Sequence, residues 1–315
     1  MAIPRSIGMA GLAIAMLSGA PALAADAAPP DKVSFYFAAH ADDWQLFMNP
    51  TAFEDVIGGA AKTVFVHVTA GDAGTGIGWR GRKHPFYLAR ENGAEIAIRF
   101  MADADDIPAA RSASTMTFAG HPIHRVNYRG TVSYFLRVPD GNPFGTGYFE
   151  TGNQSLRRLA DRAIDTMSAI DGSTTYRGWA DLVATLRAIV EFERGPASLV
   201  QANVAELDPR INPSDHSDHQ MTARAALDAV GGLGCVRRVH YVNYASARLP
   251  ENLNSQQRDR ESSVFAVTLA GVLALDHGTS WHHYDQSYVG RNYFRVEEPA
   301  GGCRAAASQF SAVRR

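Results

Sequence analysis

Phe35 to Pro50 reads FYFAAHADDWQLFMNP, an apolar, β-prone run that ends on one histidine and two nearby aspartates, His40, Asp42 and Asp43. A second string, Asp215-His216-Ser217-Asp218-His219, follows another strand-like run and opens a helix-like one. Carboxylates next to an apolar strand are costly unless a charge compensates them, and a bound cation would do so. Imidazole plus carboxylate suits Zn2+ or another divalent transition metal such as Fe2+ or Co2+, whereas an oxygen-only site would suit Mg2+ or Ca2+. Three protein ligands with an open fourth position make a hydrolytic site, in which the ion acidifies water and polarises a carbonyl. A carboxylate beside the ion, but not on it, is the natural general base. Of two adjacent aspartates, one can ligate while its neighbour takes the proton.

Such residues need elements that bring them to one place. Val33–Ala38 and Thr63–Val68 are continuously apolar and of strand length, the pattern of strands covered on both faces in a parallel sheet. A short helix fits Ala52–Ala61, and a longer one fits Tyr87–Ala102. The order predicts an α/β fold, a Rossmann-like, mostly parallel sheet flanked by helices. Further helices are expected over Ser155–Ile170, Trp179–Phe192, His219–Val230 and Ser255–Leu275, and further strands over Leu199–Val204 and Val236–Val242. The tail after Asp276 shows few periodic features. Parallel sheets present ligands at the carboxyl ends of their strands, which puts both His/Asp strings at one edge. Either string alone reads equally well as a turn or a capped helix N-terminus; both together, each after a strand, point to a metal site.

Ala39-His40-Ala41-Asp42-Asp43 and His216-Ser217-Asp218-His219 resemble the PIG-L/LmbE-like family of zinc-dependent N-deacetylases, which has A-H-[P]-D-D after its first strand and H-x-D-H before a later helix. The likeness covers roughly residues 33–101 and 199–242, and includes the Gly-rich loop TAGDAGTG and the helix at Arg90-Glu91. It implies that His40, Asp43 and His219 bind zinc and that Asp42 is the general base. His216 would stabilise the oxyanion or protonate the leaving amine, with Asp218 orienting or charging its imidazole. The chain departs from the pattern at Ala41, usually Pro, and at Gly93, usually Glu. The resemblance implies removal of an acetyl group from an N-acetylated amino sugar or glycoconjugate. An amidase or esterase acting on a non-sugar substrate would use the same chemistry. A carbohydrate-binding protein without catalysis is disfavoured by Asp42, which ligation does not need.

Candidate substrate contacts are Asp72 in the Gly-rich loop, Arg80 beside Trp79 and Arg82, Arg90 at the start of its helix, and His283 in the aromatic string SWHHYDQSY. Arginines suit sugar hydroxyls or phosphate. Asp140 and Asn142 are explained as well by a plain β-turn at PDGN as by a pocket. His84, His121, His124 and His240 read as structural or surface residues.

Of the 315 residues, 46% are hydrophobic, which fits a globular core, and the net charge of −2 gives no electrostatic case for nucleic acid. Residues 1–24 carry one cation, Arg5, an apolar stretch and Ala-Leu-Ala, the form of a cleaved signal peptide rather than a membrane span. That predicts an exported protein, periplasmic or extracellular, with one deacetylase-like domain over 25–315 and a β-rich and helical insertion at roughly 115–196. In an exported chain Cys235 and Cys303 are expected to form one disulfide.

Overall fold

Alternate residues of the first strand face different cores. Phe35 and Phe37 of β1 (Lys32–Ala38) pack into one apolar cluster, while Tyr36 and Ala38 pack into another. A strand buried on both faces belongs inside a helix-covered sheet. The computed structural model describes residues 31–78, 81–104, 109–299 and 303. The expected leader and Arg80 lie outside the described residues.

Two short helices, α1 (Asp43–Phe47) and α2 (Thr51–Ile57), lead from β1 to β2 (Ala61–Thr69), and α3 (Phe86–Ala102) follows the Gly-rich loop. The middle segment supplies β3 (Ser112–Phe118), β4 (His121–Tyr128) and β5 (Thr131–Val138), then α4 (Leu156–Ala160) and the short pair β6 (Thr166–Ser168) and β7 (Thr175–Arg177). After it come α5 (Trp179–Arg194), β8 (Leu199–Ala205), α6 (Ser217–Val230), β9 (Val236–Tyr241), α7 (Ser255–Ala274), α8 (Trp281–Ser287) and β10 (Phe294–Glu297).

The main sheet has eight strands in the order β10-β9-β8-β1-β2-β5-β4-β3. β9, β8, β1, β2 and β5 run parallel; the edge strand β10 at one side, and β4 with the edge strand β3 at the other, pair antiparallel. The fold is α/β, as the apolar runs predict. Leu182, Leu186, Ile189 and Val190 of α5, spaced as one helix face, cover one side of the sheet with Ala225 and Ala229 of α6. Ile98 and Met101 of α3 and Phe265 and Leu269 of α7 cover the other.

The expected β-rich middle segment supplies β3, β4 and β5, which extend the main sheet. Two expectations change. The helix expected over Ser155–Ile170 ends at Ala160, where the chain turns through a positive φ at Arg162 and re-forms as β6 around the buried Met167. The tail holds α8 and β10, elements too short for periodicity to reveal. The expected disulfide joins Cys235, just before β9, to Cys303, beyond β10, with Cα atoms 5.5 Å apart.

Gly93 has a packing reason. A Cβ there would lie 2.6 Å from the carbonyl oxygen of Thr268, and one on Gly271 would lie 2.7 Å from the Gly93 Cα. α3 and α7 therefore cross at backbone distance, and the space for a glutamate is filled by α7.

Candidate active site

The carboxyl ends of β1 and β8 deliver both His/Asp strings to the same sheet edge. Asp43 starts α1 and folds back on the strand end: its Oδ2 accepts from the His40 backbone N–H at 2.7 Å, and its Oδ1 lies 3.3 Å from His40 Nδ1. His219, one turn into α6, brings Nε2 to 3.2 Å from Asp43 Oδ1 and 3.3 Å from His40 Nδ1. Three donor atoms thus form a nearly equilateral triangle. Ligands about 2.0–2.2 Å from one ion at tetrahedral angles stand about 3.3 Å apart or slightly more. That spacing suits ligands of one small divalent cation; His40 with His216 and His219, and His40 with Asp140, His216 and Asp218, also bring donor atoms close enough to share one.

Neighbouring carboxylates set each ring's tautomer. His219 Nδ1 lies 2.8 Å from Asp215 Oδ1, so its N–H points there and the Nε2 lone pair points into the triangle. His40 Nε2 is buried without a hydrogen-bond partner and faces Asp218 Oδ2 at 3.5 Å and Asp140 Oδ2 at 3.8 Å. Those carboxylates favour a proton on Nε2 and leave Nδ1 for the triangle. Electrostatics agree. Burial disfavours both imidazolium forms, but Asp43 with Asp218 raises His40 well above its ordinary value, and Asp43 with Asp215 raises His219 to about 10. Burial also opposes the Asp43 carboxylate, yet His219 and His40 hold it well below the usual range. The pocket stabilises positive charge, which a divalent ion would supply in place of protons.

His216 is the N-cap of α6, and its Nδ1 accepts from the Asp218 backbone N–H at 3.1 Å. An accepting Nδ1 places the proton on Nε2. Burial, with His40 and His219 nearby, lowers its pKa to about 2. Of the two expected roles, the geometry favours a neutral hydrogen-bond donor over a proton-carrying acid. Asp218 orients this ring through its backbone N–H and not through its carboxylate. The carboxylate accepts from Gly141 N at 2.8 Å and stands closer to His40 than to His216, which it approaches only at 4.0 Å.

Asp42 makes no ion pair with a histidine among the described residues; its partner is Arg90. Arg90 also donates to the Gly71 carbonyl at 2.7 Å, and a Cβ on Gly71 would collide with the guanidinium. Arg90, expected at the substrate, instead fixes the expected base. Asp72 is fully buried and accepts from Asp140 N at 2.9 Å and Gly76 N at 2.8 Å, so its carboxylate builds the loop. His283 is exposed on α8 with its ring against His282. Successive helical residues diverge by about a third of a turn, and the next residue, Tyr284, faces inward.

Sequence reasoning leaves Asp140 open between a turn and a pocket, and misses an aromatic wall. Asp140 Oδ1 stands 4.0 Å from His216 Nε2 while Oδ2 faces His40, so the PDGN turn places a carboxylate between the two strings. Tyr244 sets its ring 5.0 Å from His219, Tyr288 stacks on Tyr244 at 5.7 Å, and Tyr284 meets Tyr288 at 5.4 Å. The clustering of SWHHYDQSY tyrosines was visible, but not which side of α8 faced the histidines.

No protein-family model matches this chain, and no curated protein sequence matches it. Among solved structures, the N,N'-diacetylchitobiose deacetylase of Pyrococcus horikoshii is similar at 13% identity and TM-score 0.46, over 85% of this chain and 84% of that one. A deacetylase of teicoplanin biosynthesis is similar at 15% identity and TM-score 0.43, over 86% of this chain and 99% of that one. GalB, the 4-carboxy-2-hydroxymuconate hydratase of Pseudomonas putida KT2440, is similar at 12% identity and TM-score 0.42, over 81% and 82%. Likeness this distant leaves the chemistry to be argued from the side chains.

Proposed function

We propose that the protein is an exported, zinc-dependent hydrolase that removes an acetyl group from an N-acetylated amino sugar or glycoconjugate. The triangle of His40 Nδ1, Asp43 Oδ1 and His219 Nε2, with edges of 3.2–3.3 Å, carries the metal part of this reading. The bond type rests on the resemblance of the two motifs to the PIG-L/LmbE-like deacetylases. Export rests on residues 1–24 and is supported by the disulfide.

A divalent ion bound by the three donors would polarise the acyl carbonyl and make water a better nucleophile at neutral pH. The chain's own groups do the rest. Asp42, aimed by Arg90, takes a proton from the attacking water. The water oxygen bonds to the carbonyl carbon, and His216 Nε2–H donates to the oxygen as it gains negative charge. Asp42 returns the proton to the amide nitrogen as the C–N bond breaks, leaving acetate and a free amine. The Tyr244–Tyr288–Tyr284 wall offers flat apolar surface beside the reacting group.

The test is metal content together with acetate release from a panel of N-acetylated sugars, before and after chelation. One equivalent of zinc with chelator-sensitive release supports the proposal. Bound zinc without release from any sugar removes the substrate class, and a protein that takes up no metal removes the mechanism.

A further inference from the structure

Among the described residues, Tyr244 is the aromatic ring, apart from His40, that meets both His216 and His219. Its centre stands 5.0 Å from that of the His219 ring and 6.3 Å from that of His216, at 83° and 80° to them. Tyr288 and Tyr284 belong to the same wall, yet neither has a ring contact with a histidine of the site.

The position of Tyr244 is built. It opens a short 3-10 turn (Tyr244–Arg248) just after β9. Its backbone N–H donates to Asp215 Oδ1 at 3.4 Å, the same oxygen that lies 2.8 Å from His219 Nδ1. One carboxylate oxygen therefore places the tyrosine and the metal donor together. Phe47, 6.0 Å away, and Tyr288, stacked at 5.7 Å, hold the ring from other sides.

The hydroxyl is left over. Tyr36 donates its own to Asp55 at 2.7 Å, and Tyr293 donates its own to the Pro250 carbonyl at 2.7 Å. The Tyr244 hydroxyl has no hydrogen-bond partner among the described residues. Tyr244 is half-buried, and tyrosines so placed usually find an acceptor. Burial, then Tyr284 and Asp43, raise the phenol above its ordinary value, so the donor Asp43 is within electrostatic reach of it.

The chemistry supplies the acceptor. In the scheme above, the acyl oxygen lies where a metal ion would polarise it and where His216 Nε2–H donates to it. An oxygen held beside His216 and the ligand His219 is next to Tyr244, which borders both. A donor that meets charge only as the charge develops favours the transition state over the ground state.

We propose that the Tyr244 hydroxyl donates a second hydrogen bond, beside that of His216, to the acyl oxygen as water adds to the carbonyl carbon. The proton stays on the phenol. The bond strengthens as the C=O electron pair moves onto oxygen, and it relaxes when that pair returns and the C–N bond breaks. This rests on the deacetylase reading above.

Tyr244→Phe keeps the ring and removes the hydroxyl. The zinc-loaded enzyme is assayed by acetate release from the N-acetylated sugar that it turns over fastest. kcat should fall by about 10–100-fold, with KM changed by less than about twofold and zinc content unchanged. An unchanged kcat, a loss confined to KM, or a fall that tracks lost zinc overturns the inference. If no sugar releases acetate, the deacetylase reading fails by itself. The donor is then judged by calorimetric binding of acetohydroxamate, a zinc-binding acyl analogue, to the zinc-loaded protein. Binding about tenfold weaker in Tyr244→Phe supports the inference, and equal binding overturns it. A protein that takes up no zinc overturns both readings.

Discussion

The guanidinium of Arg90, on α3, donates to the carboxylate of Asp42, which lies between β1 and α1 beside the proposed metal donor Asp43. One nitrogen holds Asp42 while another is tied to Gly71, so the base is aimed by two loops at once. Asp42→Asn should cut kcat by about 10²–10⁴-fold while zinc content stays at the wild-type level. Loss of zinc along with activity would place Asp42 among the ligands instead. Arg90→Met should lower kcat with less effect on metal content, and Arg90→Lys should restore only part, because a lysine cannot span both acceptors.

Asp215 touches no substrate in the proposed scheme, yet it fixes the His219 tautomer at 2.8 Å. Asp215→Asn should weaken zinc binding by about 10–100-fold, read by competition with a chromogenic chelator. His219→Ala should abolish stoichiometric zinc. Wild-type affinity in Asp215→Asn would show that the tautomer is set by something else.

Gly93 stands where related patterns have Glu, and the cost of refilling the position can be measured. Gly93→Ala places a methyl 2.6 Å from the Thr268 carbonyl oxygen and should destabilise by about 1–3 kcal/mol in urea unfolding. Helix propensity alone predicts the opposite sign, since Ala is favoured over Gly by up to about 1 kcal/mol in a helix interior. A stabilised variant would mean that α7 shifts freely.

Glu261 gives a pH dependence away from the metal donors. It is fully buried on α7, its Oε2 accepts from Gly290 N at 2.6 Å, and its Oε1 has no hydrogen-bond partner. Burial raises its pKa from 4.5 to about 9, against the pull of Arg258 and Arg291. The folded state therefore binds one more proton than the unfolded chain between those values. Stability from this group is full below the unfolded value and is lost as pH rises through the folded one. Between pH 5 and 9 the wild type should lose on the order of a few kcal/mol relative to Glu261→Gln, which keeps the acceptor and removes the titration. Parallel Tm–pH curves for the two proteins would refute the assignment.

The sheet was legible because β1 and β2 hold runs that are mostly apolar on both faces, although each also buries polar side chains such as Ser34, Thr63 and His67. The two His/Asp strings stood out because each follows a strand of one sheet, and the structure brings them together at its edge. Asp140 did not: PDGN makes a sound β-turn whatever lies beneath it, and only the pairing of β5 beside β2 brings that turn over His40. His283 and Tyr284 show the same limit on a smaller scale. Composition singled out the string, but the face of a seven-residue helix is settled by packing against Tyr288 and Phe265. β10 pairs through only four residues, and it follows from the neighbour it finds in β9.

The cystine between Cys235 and Cys303 straddles that last pair of strands, one end just ahead of β9 and the other past β10. In mechanical terms it is a rivet across a seam. A pull on the C-terminus loads a covalent bond before it reaches the four-residue ladder. While the bridge is oxidised, β10 cannot be unzipped from its free end, and β9 cannot offer its bare edge to a neighbouring molecule. That closes one of the sheet's two margins with a covalent link.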